Sequence, residues 1–209
     1  MKDQELAYWY FRLNGFFTMN NFILHSDRKG PQKTDCDILG VRFPYRAEFS
    51  EQNDFDEKEF RIAVPYFVIA EVTTSPCKLN GPWTEPSKQN VDAVFAALGL
   101  LKQEEIAFVA QKLYKQGSYA TQEFYSSFFC IGRSINDELK KQYPSVPQKT
   151  WGDLISFIHS RFTDYKNRKK DHPQWDETGH DLWNLFQQNS DKRRFEEEVV
   201  KAARLPLAN

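Results

Sequence analysis

The chain has 209 residues, of which 40% are hydrophobic and 15% aromatic, so it carries enough apolar surface for one good-sized core and is not a disordered polymer. Its 28 basic and 29 acidic side chains leave a formal charge of −1, which excludes a global field drawing it to nucleic acid; any cationic surface must be local. Three widely spaced cysteines, Cys36, Cys77 and Cys130, lack metal-ligand spacing and read as buried thiols of a reducing compartment. The start has no apolar core of a secretory signal, and no window approaches the roughly 18 apolar residues of a membrane span. The expectation is a cytoplasmic protein without a membrane partner.

In chain order, Leu6, Trp9, Tyr10 and Leu13 recur at helical spacing, predicting a helix within 4–16 that Gly15 stops. Phe22, Ile23 and Leu24 mark a first strand over 18–25, and the polar run with Gly30 and Pro31 reads as a turn. A second strand covers 35–43, a charged excursion 45–60, and a third strand 63–74, whose long apolar run implies burial on both faces. Pro76, Gly81, Pro82 and Pro86 make 75–88 a loop, from which Ser87 caps a helix running to about Leu101. A second helix opens at Glu104 and stops at Gly117, and a fourth strand covers 125–132. Thr150 with Asp153 forms a capping box for a helix whose apolar stripe is Trp151, Leu154, Ile155, Ile158, Phe162 and Tyr165. Helices over 179–188 and 191–204 follow, the second ended by Pro206. The expected fold is α/β: a small mixed β-sheet flanked by helices, with an α/β core over 1–135 and a helical extension over 136–209 packed on it.

Two acids stand inside apolar strands, Asp37 in the second and Glu71 in the third. Burying a carboxylate costs free energy unless something compensates it, and a divalent metal is a common compensation for two together. Strand alternation puts Asp37 with Leu39 and Val41, and Glu71 with Phe67, Ile69 and Thr73. In suitable register both carboxylates converge on one point, to which the Val72 carbonyl can add an oxygen. Mg²⁺ is held in this way, and such an ion polarises a phosphate and activates water. Arg161, Lys166, Arg168, Lys169 and Lys170 face only Asp164 within 158–170, which reads either as a solvated helix end or as a phosphate-contacting patch. Asp35 is an alternative ligand on the second strand, Trp83 reads as a loop anchor, and the acids and His180 of 174–180 match no known metal spacing.

The helix–strand–strand–strand–helix–strand order, with Asp37 ahead of an apolar strand and Glu71-x-Thr73 at the end of the next, resembles the PD-(D/E)xK phosphodiesterase superfamily, whose fold is restriction-endonuclease-like. The resemblance spans roughly residues 4–132. It implies Asp37 and Glu71 as catalytic ligands of Mg²⁺ or Mn²⁺, with Glu5 on the first helix and His25 at the first strand's end as possible additions. The family expects Lys where this chain has Thr73; Lys78, or else Lys88, can bring a flexible ammonium to that place. Two functions follow as expectations. One is a metal-dependent nuclease acting on nucleic acid, DNA rather than RNA, in bacterial antiphage defence with protein partner subunits. The other is a catalytically degenerate nuclease-fold subunit that binds nucleic acid or partner proteins.

Overall fold

A computed structural model describes residues 1–25, 32–46, 56–166 and 175–206. Helix α1 (Asp3–Leu13) leads into the strands β1 (Phe17–Leu24), β2 (Thr34–Arg42) and β3 (Tyr66–Val72). A single helical turn α2 (Gly81–Thr84), helices α3 (Asn90–Leu98) and α4 (Gln103–Gln116), and strands β4 (Ser118–Ala120) and β5 (Tyr125–Gly132) follow. The remainder comprises α5 (Asp137–Gln142), β6 (Gln148–Thr150), α6 (Trp151–Tyr165), α7 (Glu177–Gln188) and α8 (Lys192–Ala203). One mixed sheet runs in the order β1-β2-β3-β5-β4, with β6 also paired to β5. The first three strands are antiparallel to one another, and β5 is parallel to β3, as a crossover through α3 and α4 requires.

The sheet separates two apolar layers. One face packs α1, α6, α7 and α8, with Tyr10, Phe11, Trp151, Phe162 and Phe195 meeting Val68, Ala70 and Phe129 of the sheet. The other packs α2 to α5, with Trp83, Phe95 and Leu113 meeting Leu39, Ile69 and Phe128. The stripe expected on α6 is buried throughout, and its capping box is present, Thr150 Oγ1 accepting from the Asp153 N–H. The region beyond residue 135 is not wholly helical, because β6 within it lengthens the sheet beside β5.

Two further departures have local causes. Ser87 is not the cap of α3; Pro86–Lys88 forms a 3₁₀ turn, Gln89 takes a left-handed conformation, and the helix starts only at Asn90. Strand β3 begins at Tyr66, after Pro65, which has no N–H to offer a ladder.

Asp56 organises the end of the sheet remote from Glu71. Its buried carboxylate accepts from Arg42 at 2.7 Å and Arg46 at 2.9 Å, and Arg161 stands 3.3 Å away. Arg161 also donates to the Leu13 carbonyl at 2.9 Å and is 1% exposed. Its guanidinium joins α6 to the interior rather than facing outward, which removes it from the expected phosphate-contacting patch. Lys166 is exposed at the end of α6, and Arg168, Lys169 and Lys170 lie outside the described residues.

Candidate functional site

Glu71 is next to last in β3 and only 5% exposed. Its neighbours Ala70 and Val72 pack with the α1 layer, so alternation turns Glu71 to the opposite face, beneath α2. There both of its oxygens are taken: Trp83 Nε1 donates to Oε1 and Asn80 Nδ2 donates to Oε2. Trp83 is fully buried at the turn whose geometry Gly81 and Pro82 set, so its indole is a fixed donor. Burial, and then the charge of Asp37, push the Glu71 carboxyl up to about 7, while the Trp83 bond and the nearby ammonium of Lys78 pull it down.

Asp37 takes the other direction. The ladder between β2 and β3 ends at the pair Ile38–Ala70, and beyond it the Val72 N–H donates to Asp37 Oδ2 at 2.8 Å. The carboxylate thus stands where a ladder carbonyl would be, satisfying a backbone donor that the pairing leaves over. Its Oδ1 accepts from Gln4 Nε2 of α1 at 2.6 Å. Cys36 faces the α2–α5 layer, yet Ile38, two residues on, faces the α1 layer. The alternation therefore breaks at Asp37, and opposite it in β1 Asn21 adopts φ +51°. The expected grouping of Asp37 with Leu39 is overturned by this irregularity, which swings the side chain toward α1. Burial raises its pKa, the Val72 and Gln4 bonds lower it, and Asp35 and Asp3 raise it again.

The other anticipated residues scatter. Glu5 Oε2 accepts from the Lys2 N–H at 2.6 Å and from Thr178 Oγ1 at 3.1 Å, so it caps α1 and meets α7 instead of joining Asp37. Gln4, its neighbour, is the residue of that helix that reaches the acid. Thr73 donates its N–H to the Ile131 carbonyl and accepts from the Ser75 N–H on its hydroxyl. Lys88 pairs with Glu85 at 2.9 Å on the surface. His25 is exposed at the end of β1. The Lys78 carbonyl accepts from Cys130 Sγ, which fixes its backbone beside β5, and its ammonium is the cation nearest in effect to Glu71.

Both carboxylates of the expected Mg²⁺ or Mn²⁺ pair already hold protein donors. Each carboxylate accepts from neutral protein donors, Asp37 from Gln4 and the Val72 N–H and Glu71 from Trp83 and Asn80, while the charge of Asp37 acts on Glu71. Among the described residues, no three His, Cys, Asp or Glu side chains gather so as to hold a metal ion. The neutral donors offset part of the burial cost of the two acids, though the Glu71 carboxyl still rises to about 7. Trp83 and Asn80 carry that role; both stand in the proline-rich loop directly after Glu71, which is the signal that could have placed them. No helix among the described residues is long and apolar enough to cross a membrane. Compared with protein-family models, with curated proteins and with solved structures, the chain matches none.

Proposed function

We propose that this chain is a nuclease-like α/β protein without a cutting centre, acting as a binding subunit. The reading rests on one observation: Trp83 and Asn80 occupy both oxygens of Glu71, and Gln4 and the Val72 N–H occupy both oxygens of Asp37. A water-activating ion needs shared, outward-facing oxygens, and a neutral threonine stands where the superfamily places its lysine. The chain order supports the kinship on which the reading draws, since an initial helix and three antiparallel strands are followed, after α2–α4 and the short β4, by β5 parallel to β3.

The test is plasmid nicking in Mg²⁺ and in Mn²⁺ by wild type and Glu71→Ala. Equal, background-level nicking by both supports a binding subunit. Metal-dependent nicking by wild type that Glu71→Ala abolishes refutes it and restores the nuclease. That second reading has one observation in its favour, the Lys78 ammonium whose charge acts on Glu71. Should nicking occur, Lys78→Ala separates an ammonium that serves the chemistry from one that merely lies near it.

A further inference from the structure

Strand β1 closes one edge of the sheet, and among the described residues nothing pairs with its outer side. None of its eight residues, Phe17-Thr-Met-Asn-Asn-Phe-Ile-Leu24, carries a charge, and none is proline. Proteins ordinarily blunt such an edge with lysine, proline or a bulge, because its unpaired N–H and C=O groups template another strand. Asn21 does interrupt this strand with its positive φ, but Phe17–Asn20 ahead of it stays regular against Val41, Gly40, Leu39 and Ile38.

The two faces of that stretch differ. Phe17 is 70% exposed and Met19 48%, and Phe17 stands edge-on to Phe43, itself 53% exposed, at 6.0 Å between ring centroids. On the opposite face, Thr18 and Asn20 line a cavity of about 530 Å³ together with Tyr8 and the acids Glu5, Asp176, Glu177 and Asp181. Among the described residues of that wall, Lys2 is the only basic side chain. Glu5 and Asp176 already accept hydrogen bonds, whereas Glu177 and Asp181 are exposed at the rim. None of Asp37, Glu71 or Lys78 lines the cavity, so the inference holds independently of whether those residues cut.

We propose that the edge of β1 at Phe17–Asn20 docks an extended segment of another protein in which basic and apolar residues alternate. The segment's backbone adds a strand beside β1. Its Lys or Arg side chains project on the face of Thr18 and Asn20 into the acidic cavity, and its apolar side chains lie over Phe17, Met19 and Phe43. The period of two that every strand obeys makes one peptide satisfy both faces at once. Charge complementarity selects this occupant over the others. A second copy of β1 brings threonine and asparagine to the positions that face the acids, and nucleic acid brings phosphates that the acids repel.

The probe is an end-blocked decapeptide of alternating lysine and valine, labelled with fluorescein and titrated against the full chain. Its glutamate–valine counterpart is the control. Anisotropy should show saturable binding of the lysine peptide alone, at least tenfold weaker in the double variant Glu177→Gln/Asp181→Asn. Hydrogen exchange should show slowed amides within 17–20 on binding. Asn20→Pro, which removes a backbone donor while sparing the acids, should abolish binding; if that variant does not fold, Met19→Lys, placing a cation on the apolar face, should weaken binding at least tenfold. Absence of saturable binding overturns the proposal, as does unchanged affinity in the double variant or exchange slowed only outside β1. A dimer in sedimentation that Met19→Lys disperses would assign the edge to a second copy and equally overturn it.

Discussion

Replacing Glu71 with glutamine tests the electrostatics of the site most directly. In the unfolded chain the carboxyl ionises near 4.5, whereas in the folded protein burial holds it protonated up to about 7. Between those values the folded state binds the extra proton. Stability therefore falls as pH rises through that window, and the fall is complete by about pH 8. At about 1.36 kcal/mol for each pH unit, the gap amounts to about 3 kcal/mol of stability present at pH 4.5 and lost by pH 8. The Glu71→Gln side chain cannot ionise and escapes this loss. It brings a different cost, since its amide NH₂ faces the donor of Trp83 or of Asn80, but that cost does not vary with pH. The stability difference between variant and wild type should thus move by about 2.5 kcal/mol in the variant's favour between pH 5 and pH 8. Asp37 faces a titrating carboxyl in wild type and a neutral amide in the variant, so the difference reports the coupled pair rather than Glu71 alone. Urea unfolding at half-unit steps of pH measures the difference. Parallel profiles for the two proteins would show that Glu71 is ionised and compensated throughout, and the reasoning would fail.

Three other substitutions probe the same framework. Trp83→Phe keeps an aromatic ring in place but strips the donor from Glu71 Oε1, and should cost about 1–3 kcal/mol in urea unfolding at pH 8, with a smaller loss at pH 5 where the carboxyl is neutral. Asp56→Ala leaves Arg42 and Arg161 buried without their shared anion, so thermal unfolding should register a loss of about 3–5 kcal/mol; a loss below about 1 kcal/mol would deny the hub its role. Gly179 lies against the Trp9 indole, and a Cβ added there would fall 2.1 Å from its ring. Gly179→Ala should destabilise by about 1–3 kcal/mol through overpacking, visible as a lower urea midpoint with unchanged slope.

The architecture was legible because its signals are periodic and redundant. The stripe of α6 is confirmed by six buried side chains, the third strand by a run apolar on both faces, and the parallel pairing of β5 by the helices between it and β3. Short pieces left no such trace: β4 and β6 are three residues each, too few to display a period. The location of Arg161 is readable from its spacing. It follows Ile158 by three positions and precedes Tyr165 by four, which places it on the buried stripe, whereas a net-charge tally along 158–170 treats every cation as outward. Asp37 shows what strand patterning cannot give. Alternation holds only while both strands stay regular, and the positive φ of Asn21 across the pair resets the face within two residues. Nothing in the sequence of β2 itself marks that break.

Two acids inside adjacent strands demand compensation, and compensation has more than one physical form. A cation supplies it from outside, and directed N–H donors supply part of it from within. Glu71 receives an indole and an amide from the loop that immediately follows its own strand, and Asp37 receives a backbone N–H from the strand beside it. These donors cost little to organise, because each belongs to a segment already fixed by packing: Trp83 is fully buried, and Val72 is the last residue of β3. The acids thereby anchor their surroundings, Glu71 the α2 loop and Asp37 the end of the β2–β3 ladder.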